Sequence, residues 1–324
     1  MQTKKIHWAS LVILLILATS ITFLLLIVLS LGVASLVDLF SSSPEAASEM
    51  IGAVAFGFIS ILLLISGWFI LQKTRGLEQA DQNFKFPFAP WMWIALPALV
   101  IFSILFGGLI TFAEIPWLNW FLLPFLTILV IVPPIWLLFG VAANGLDLGP
   151  RWRFFSILGL GMTAGPVIMI VLELVLLLTL IIAGVAYIAF ARPEMLNEIE
   201  ALSNMLNQGL SEDAMLNLLS PYLTNPTLLA IGIGYIALLV PLIEELFKPL
   251  AVWLFARQLE SSAQGFALGV LSGAAFALVE SLNASADGTT SWAVIVAAHG
   301  CYPLVHPNEA LHFEYSTTKG VPGA

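Results

Sequence analysis

The sequence predicts an all-α protein, a polytopic bundle of about seven to eight transmembrane helices. Three observations predict this class. Of the 324 residues, 60% are hydrophobic and only 10% are charged, whereas soluble domains carry about 25% charged residues. The hydrophobic residues form long runs, and a membrane-spanning helix needs about 20 of them. Basic and acidic residues occupy alternate connections between the runs, as in chains that cross a membrane repeatedly.

The first run follows a short basic segment that contains Lys4 and Lys5. It is about twice as long as the apolar region of a signal peptide, so we expect an uncleaved first span. Seven runs are long enough for full spans. They cover residues 8–37, 50–71, 91–112, 117–143, 155–190, 227–256 and 263–282. A shorter run, residues 291–305, is expected to form a partial eighth span.

The fifth run, residues 155–190, is unusually long, enough for a helix of about 50 Å. It predicts either one tilted helix or two shorter pieces that meet near Gly165 and Pro166. A single crossing is favoured, because two crossings would reverse the charge pattern of the later connections. Glu173 within this run is expected to be protonated or hydrogen-bonded to a neighbouring helix rather than catalytic.

The connection after the fifth run, residues 192–226, is the one sizeable polar segment between spans. Its apolar residues recur every three or four positions, which predicts an amphipathic helix over residues 193–208. Ser211 is a candidate N-cap for a second short helix. Both helices are expected to lie flat on the outer interface of the membrane.

Lysine and arginine residues favour the cytoplasmic side of a membrane. An N-terminus in the cytoplasm places on that side Lys4, Lys5, Lys73, Arg75, Lys85, Arg151, Arg153 and Arg257. Arg192 is the exception, and the outer loops are acidic. The sequence therefore predicts an integral protein of the cell membrane with a cytoplasmic N-terminus and the lipid bilayer as a partner. Nothing resembles a basic nucleic-acid-binding patch, so no nucleic acid is expected.

The sixth run contains charged residues where lipid-facing residues are expected, namely Glu244, Glu245 and Lys248. A charge at bilayer depth costs at least about 2.5–3.5 kcal/mol, so such residues are rare and usually functional. In a continuous helix, Lys248 would lie one turn from each glutamate. The pattern indicates a site that holds a charge, shares a proton or positions a water molecule.

Polar residues also interrupt the next two apolar runs. The seventh run contains Phe276-x-x-x-Glu280, and the last run contains His299. Small residues in the seventh run permit close helix packing; they are Gly269, Gly273, Ala274 and Ala275. Each polar residue alone has a structural explanation, such as charge neutralisation, contact with interfacial water or a hydrogen bond between helices. Three such polar sites occur on consecutive apolar segments, and each needs a polar partner. We therefore expect the three sites to converge.

Such a cluster can perform hydrolysis. Two crowded carboxylates rarely both ionise, so one stays protonated while the other accepts a proton from water. Histidine can stabilise a developing oxyanion or protonate a leaving amine. The same residues could instead bind a divalent metal such as zinc and activate a bound water. No His-Glu-x-x-His pattern accompanies them, and both alternatives stay open.

In their order and spacing, Glu244-Glu245-x-x-Lys248, Phe276-x-x-x-Glu280 and His299 resemble the PrsW family of intramembrane proteases. That family is distantly similar to the CAAX prenyl endopeptidases. The resemblance covers roughly residues 235–300. It implies that Glu244 and Glu245 supply the general base, Glu280 a second acid or ligand, and His299 an oxyanion stabiliser or ligand. Lys248 and Phe276 would support them, and the substrates would be membrane-anchored proteins.

The sequence thus predicts three regions: N-terminal helices with the outer amphipathic segment over 1–226, a catalytic-type helical core over 227–305, and a polar tail over 306–324. Pro303 and Pro307 interrupt the last run, which departs from the family pattern, and His306 and His312 are expected to be tail residues. The rival functions are a proton-coupled transporter, which would show broken helices in paired repeats, and a non-catalytic membrane scaffold.

Overall fold

The computed structural model describes residues 8–191 and 226–285, residues 292–294, 296 and 297, and the single residues Asn204, Ser220 and Thr224. Long helices dominate, which confirms the predicted all-α class. Within these residues, seven helices are long and apolar enough to cross a membrane, as expected for an integral membrane protein. They cover Trp8–Ser41, Ala46–Thr74, Met92–Phe112, Pro116–Ala142, Arg151–Tyr187, Leu229–Trp253 and Ser262–Ala284.

Two of these spans, Arg151–Tyr187 and Leu229–Trp253, consist of more than one regular helix. The α-helices are α1 (Trp8–Ser41), α2 (Ala46–Thr74), α3 (Met92–Phe112), α4 (Pro116–Ala142), α5 (Arg151–Met162), α6 (Ala164–Ala191), α7 (Pro226–Gly234), α8 (Val240–Phe247), α9 (Leu250–Trp253) and α10 (Ser262–Ala284). A π-helix, Tyr235–Leu239, separates α7 from α8. Short 3₁₀-helices occur at Glu78–Asp81 and Ala256–Gln258.

The fifth run breaks at Thr163, two residues before the expected Gly165-Pro166 position. Thr163 leaves the helical region with φ −123° and ψ −74°, and α6 begins at the next residue. Pro166 then lies in the first turn of α6, where a missing N–H leaves no helical hydrogen bond unmade. The proline therefore marks the start of the second helix.

The sixth run widens into a π-helix before Pro241. Proline has no N–H, and its ring would clash with the carbonyl four residues earlier, that of Ala237. The N–H of Val240 instead donates to the carbonyl of Tyr235, five residues back, which is the π-helical pattern. The helix then continues through Pro241 and ends at Phe247, two residues before Pro249.

The chain forms two compact units. Unit 1 consists of the described residues of Met1–Pro166 and Lys248–Ala324, and unit 2 is Val167–Phe247. In unit 1, α2 contacts α1, α4 and α5, and α10 contacts α4 and α5. In unit 2, the hydroxyl of Tyr235 donates to the carbonyl of Glu173 over 2.9 Å, which links the π-helix to α6. The predicted regional boundaries at 226 and 305 stay a prediction.

Small residues allow close packing of α5 against α10. A Cβ added to Gly161 would lie 3.0 Å from Cβ of Ala275 and 3.2 Å from the carbonyl oxygen of Ser272. Ala275 therefore packs as the sequence predicted. Gly273 does not, because a Cβ added there would meet no atom within 4 Å. It lies on a part of the helix that faces open space.

Charge separates the two ends of unit 1. The basic end carries the described lysines and arginines other than Lys248, together with four carboxylates; the basic residues are Lys73, Arg75, Lys85, Arg151, Arg153 and Arg257. Arg153 is buried and donates to the carbonyl of Gln258, so it joins α5 to the connection before α10. The acidic end carries Asp38, Glu45, Glu49 and Glu114.

Candidate functional site

Lys248 and Phe276, which the sequence assigned to different parts of the motif, are in contact in unit 1. The Nζ atom of Lys248 lies 5.5 Å from the centroid of the Phe276 ring. An ammonium within about 6 Å of an aromatic face makes a favourable cation–π interaction. Phe276 is buried, so the ring offers the ammonium a fixed partner inside the helical bundle.

The backbone of Lys248 is also held by α10, the helix that carries Phe276. Because Pro249 ends α8, the N–H of Val252 donates to the carbonyl of Pro249 rather than to that of Lys248. The hydroxyl of buried Ser272 donates to the Lys248 carbonyl over 2.5 Å. A side chain of α10 thus satisfies a carbonyl at the helix end.

Ser272, Phe276 and Glu280 recur at intervals of four residues and so lie on one face of α10. Glu280 is exposed and follows Phe276 by one turn, about 6 Å along the helix axis. The role of Ser272 was missed from the sequence. The available signal was its spacing of four residues from Phe276 within an otherwise apolar run.

Glu244 and Glu245 lie on α8 in unit 2, and both are half-buried. The sequence placed them on a continuous helix with Lys248. That expectation is wrong, because α8 ends at Phe247 and Lys248 belongs to the turn that follows. The cause is Pro249, since the residue before a proline is disfavoured in helical geometry.

His299 lies outside the described residues, as do the predicted amphipathic helix 193–208 and the Ser211 cap. Part of its apolar run is described, however. Trp292 and Val296 are fully buried, and the indole Nε1 of Trp292 donates to Oγ1 of Thr127 on α4 over 2.8 Å. Trp292 and Val296 therefore belong to the core of unit 1, whereas Val294 is exposed.

Three carboxylates that could share a metal ion lie together at the acidic end of unit 1, where the sequence predicted no site. Oxygen atoms of Asp38, Glu45 and Glu49 lie within 4.8 Å of one another. Oxygen-only ligands of this kind suit hard cations rather than zinc. The set predicted from the motifs, Glu244, Glu245, Glu280 and His299, combines carboxylates with an imidazole, which is a donor chemistry that zinc accepts.

No family model and no solved structure matches the chain. Short stretches are similar to proteins named ferredoxin–NADP reductase. The identity is 75% over 28 residues, 9% of this chain, for the protein of Acidiphilium cryptum, and 68% over 28 residues for that of Granulibacter bethesdensis. It is 46% over 66 residues, 20% of this chain, for that of Gluconobacter oxydans. The chain spans 8%, 8% and 18% of the lengths of these relatives, which are enzymes by name.

Proposed function

We propose that this protein is an intramembrane endopeptidase that cleaves membrane-anchored protein substrates with a glutamate-activated water. The observation that carries the proposal is the contact between Lys248 and Phe276, one turn from Glu280. Lys248 and Phe276 each belong to one of the Glu-Glu-x-x-Lys and Phe-x-x-x-Glu motifs, which resemble those of the PrsW family. The orientation proposed with it has the basic end of unit 1 and the N-terminus in the cytoplasm.

In this proposal, one carboxylate of Glu244 and Glu245 accepts a proton from water while the water attacks the scissile carbonyl. His299 stabilises the oxyanion or protonates the leaving amine, and Glu280 serves as a second acid. The ammonium of Lys248, held over Phe276, would tune the glutamate pair, as the resemblance implies. If a metal such as zinc is bound, Glu244, Glu245, Glu280 and His299 would be the residues that hold it. The metal would then activate water.

The test is cleavage of single-span substrates by purified protein in liposomes. We expect Glu244→Gln, Glu245→Gln and His299→Ala each to lower the cleavage rate by at least about 100-fold. Glu173→Gln is the matched control, because it makes the same chemical change at an intramembrane glutamate outside the motifs. Loss with a chelator and recovery with zinc would identify a metal enzyme. Cleavage unaffected by the three motif variants would overturn the proposal.

The Lys248–Phe276 contact has its own pair of variants. Phe276→Leu keeps an apolar side chain but removes the ring, and we expect cleavage to fall by roughly 3–30-fold, the range of cation–π interactions from exposed to desolvated sites. Phe276→Tyr keeps the ring and is expected to retain most of the rate. Equal cleavage rates in both variants would show that cleavage does not depend on the Lys248–Phe276 contact.

A carrier is the second candidate, because the fifth and sixth spans are both discontinuous, at Thr163 and at the Lys248-Pro249 turn. Broken helices bind ions and substrates in many transporters. Proton flux into liposomes that Glu244→Gln abolishes, without cleavage of any substrate, would favour it. The reductase matches agree with an enzyme in name, but stretches of 28 and 66 residues carry no argument for reductase activity.

A further inference from the structure

A cavity of about 690 Å³ opens at the acidic end of unit 1. The turn between α1 and α2, the turn between α3 and α4, and the segment of Ala293 and Val294 surround it. Its volume lies within the range of roughly 300–1,000 Å³ that small-molecule sites occupy. None of its described lining residues belongs to the motifs of the proposed peptidase, so the site does not depend on that function.

The lining has an apolar body and a polar rim. Ala46, Ala47 and Gly108 contribute to the body. Hydroxyl groups of the rim include that of Thr111, and the one carboxylate among the described lining residues is that of the exposed Glu114. A lining of this kind fits an amphiphile, with the alkyl chain against the apolar body and the headgroup at the rim.

The charge at this end selects the headgroup. Asp38, Glu45 and Glu49 lie at the same end as Glu114, and the described residues there include no lysine, arginine or histidine. Helix dipoles favour neither sign of headgroup charge at this end, because the N-termini of α2 and α4 meet the C-termini of α1 and α3. The carboxylates therefore attract a cation and repel an anionic headgroup.

The backbone at the rim is strained at two positions. Ser42 has φ 59° and Glu114 has φ 54°, and they are the non-glycine residues with positive φ in the described chain. Both line the cavity. Glycine adopts this conformation without steric cost, and other residues in it cluster at functional sites. At position 114, the strained conformation comes with a carboxylate at the rim.

We propose that this cavity binds a single-chain amphiphile with a protonated primary amine. The alkyl chain lies against α2, α3 and the segment of Ala293 and Val294, and the ammonium pairs with Glu114. Binding brings together charge of opposite sign at the rim and apolar surface below it. No covalent step is involved.

The test uses three photo-crosslinking dodecyl probes that carry an amine, an alcohol or a carboxylate. Each is added to the full-length protein in phosphatidylcholine nanodiscs, and crosslinked peptides are mapped by mass spectrometry. We expect the amine to label residues 42–47 and 108–119 roughly tenfold more than the carboxylate does, with the alcohol between them. Equal labelling by the three probes would overturn the proposal.

Two glycine variants separate binding from folding. Glu114→Gly and Ser42→Gly both relieve a positive φ, so both are expected to raise Tm by a few degrees. Only Glu114→Gly removes the carboxylate, and it should lower labelling by the amine roughly tenfold. Glu45→Gln, which removes a charge from the same end outside the lining, should retain labelling. Equal loss in Ser42→Gly or Glu45→Gln would contradict the assignment to Glu114.

A third variant tests the cavity itself. A Cβ added to Gly108 would meet Cβ of Ala293 at 3.6 Å, an ordinary contact, so a larger side chain there can enter the cavity without a backbone clash. Gly108→Leu is therefore expected to reduce labelling by all three probes while Tm stays within a few degrees of the wild type. Undiminished labelling in this variant would place the probes elsewhere and overturn the proposal.

Discussion

Trp292 shows how one buried side chain can position a short segment. Its indole is fully buried and donates a hydrogen bond to Thr127. It lies so close to α3 that a Cβ added to Gly107 would overlap its ring atoms Cζ3 and Cη2. A buried indole usually needs a partner for its N–H. The hydroxyl of Thr127 and the absence of a side chain at Gly107 together provide the place for it.

Gly107→Ala should therefore destabilise unit 1. The added methyl group overlaps a rigid, buried ring, and overpacking of this kind typically costs about 1–3 kcal/mol. We expect a lower Tm in detergent by differential scanning fluorimetry. Gly108→Ala is the matched control, because its Cβ makes an ordinary 3.6 Å contact and alanine favours the helix by up to about 1 kcal/mol. Equal Tm values for the two variants would contradict this packing.

At the scale of elements, three prolines accompany the irregular positions of the fifth and sixth runs, whereas α3 and α4 remain continuous with Pro97, Pro124, Pro133 and Pro134 inside them. Pro166 stands in the first turn of α6, Pro241 follows the π-helix, and Pro249 follows the end of α8. Each lacks the N–H that a continuing α-helix would use. The π-helix adds one residue to a turn, so it rotates α8 relative to α7 and changes the direction in which Glu244 and Glu245 point.

Pro241→Ala should restore regular helical bonding, because residue 241 could then donate to the carbonyl of Ala237. Hydrogen exchange of residues 235–241 should slow, and the glutamates of α8 should rotate by about 100° relative to α7. If the proposed peptidase is correct, we expect cleavage to fall by roughly tenfold or more. Pro226→Ala is the control, since a proline at the first position of α7 needs no N–H. Faster hydrogen exchange of residues 235–241 in Pro241→Ala than in the wild type would contradict the assignment of the π-helix to Pro241.

At the scale of the whole molecule, the separation of charge in unit 1 predicts orientation. The basic end should face the cytoplasm and the acidic end the opposite side. Glu114→Cys and Gln79→Cys, each combined with Cys301→Ser, report on the two ends, because residues 79 and 114 are exposed. Gln79→Cys leaves the basic charges unchanged.

In intact cells, a membrane-impermeant maleimide should label Cys at 114 and leave Cys at 79 unlabelled until the cells are permeabilised. The reverse pattern would place the N-terminus outside. Labelling of both positions in intact cells would show that the two ends of unit 1 do not lie on opposite sides of the membrane.

The sequence by itself determined the helical class, the number of long apolar helices and their limits to within a few residues. The reason is that a bilayer imposes a length and a composition on each span that can be counted residue by residue. It also singled out Lys248 and Phe276, as members of two motifs on separate apolar runs. The tertiary structure decided what spacing cannot, because contacts between helices depend on how their faces pack. These are the contact of Lys248 with Phe276, the bond from Ser272, the place of Trp292 and the cavity beside Glu114.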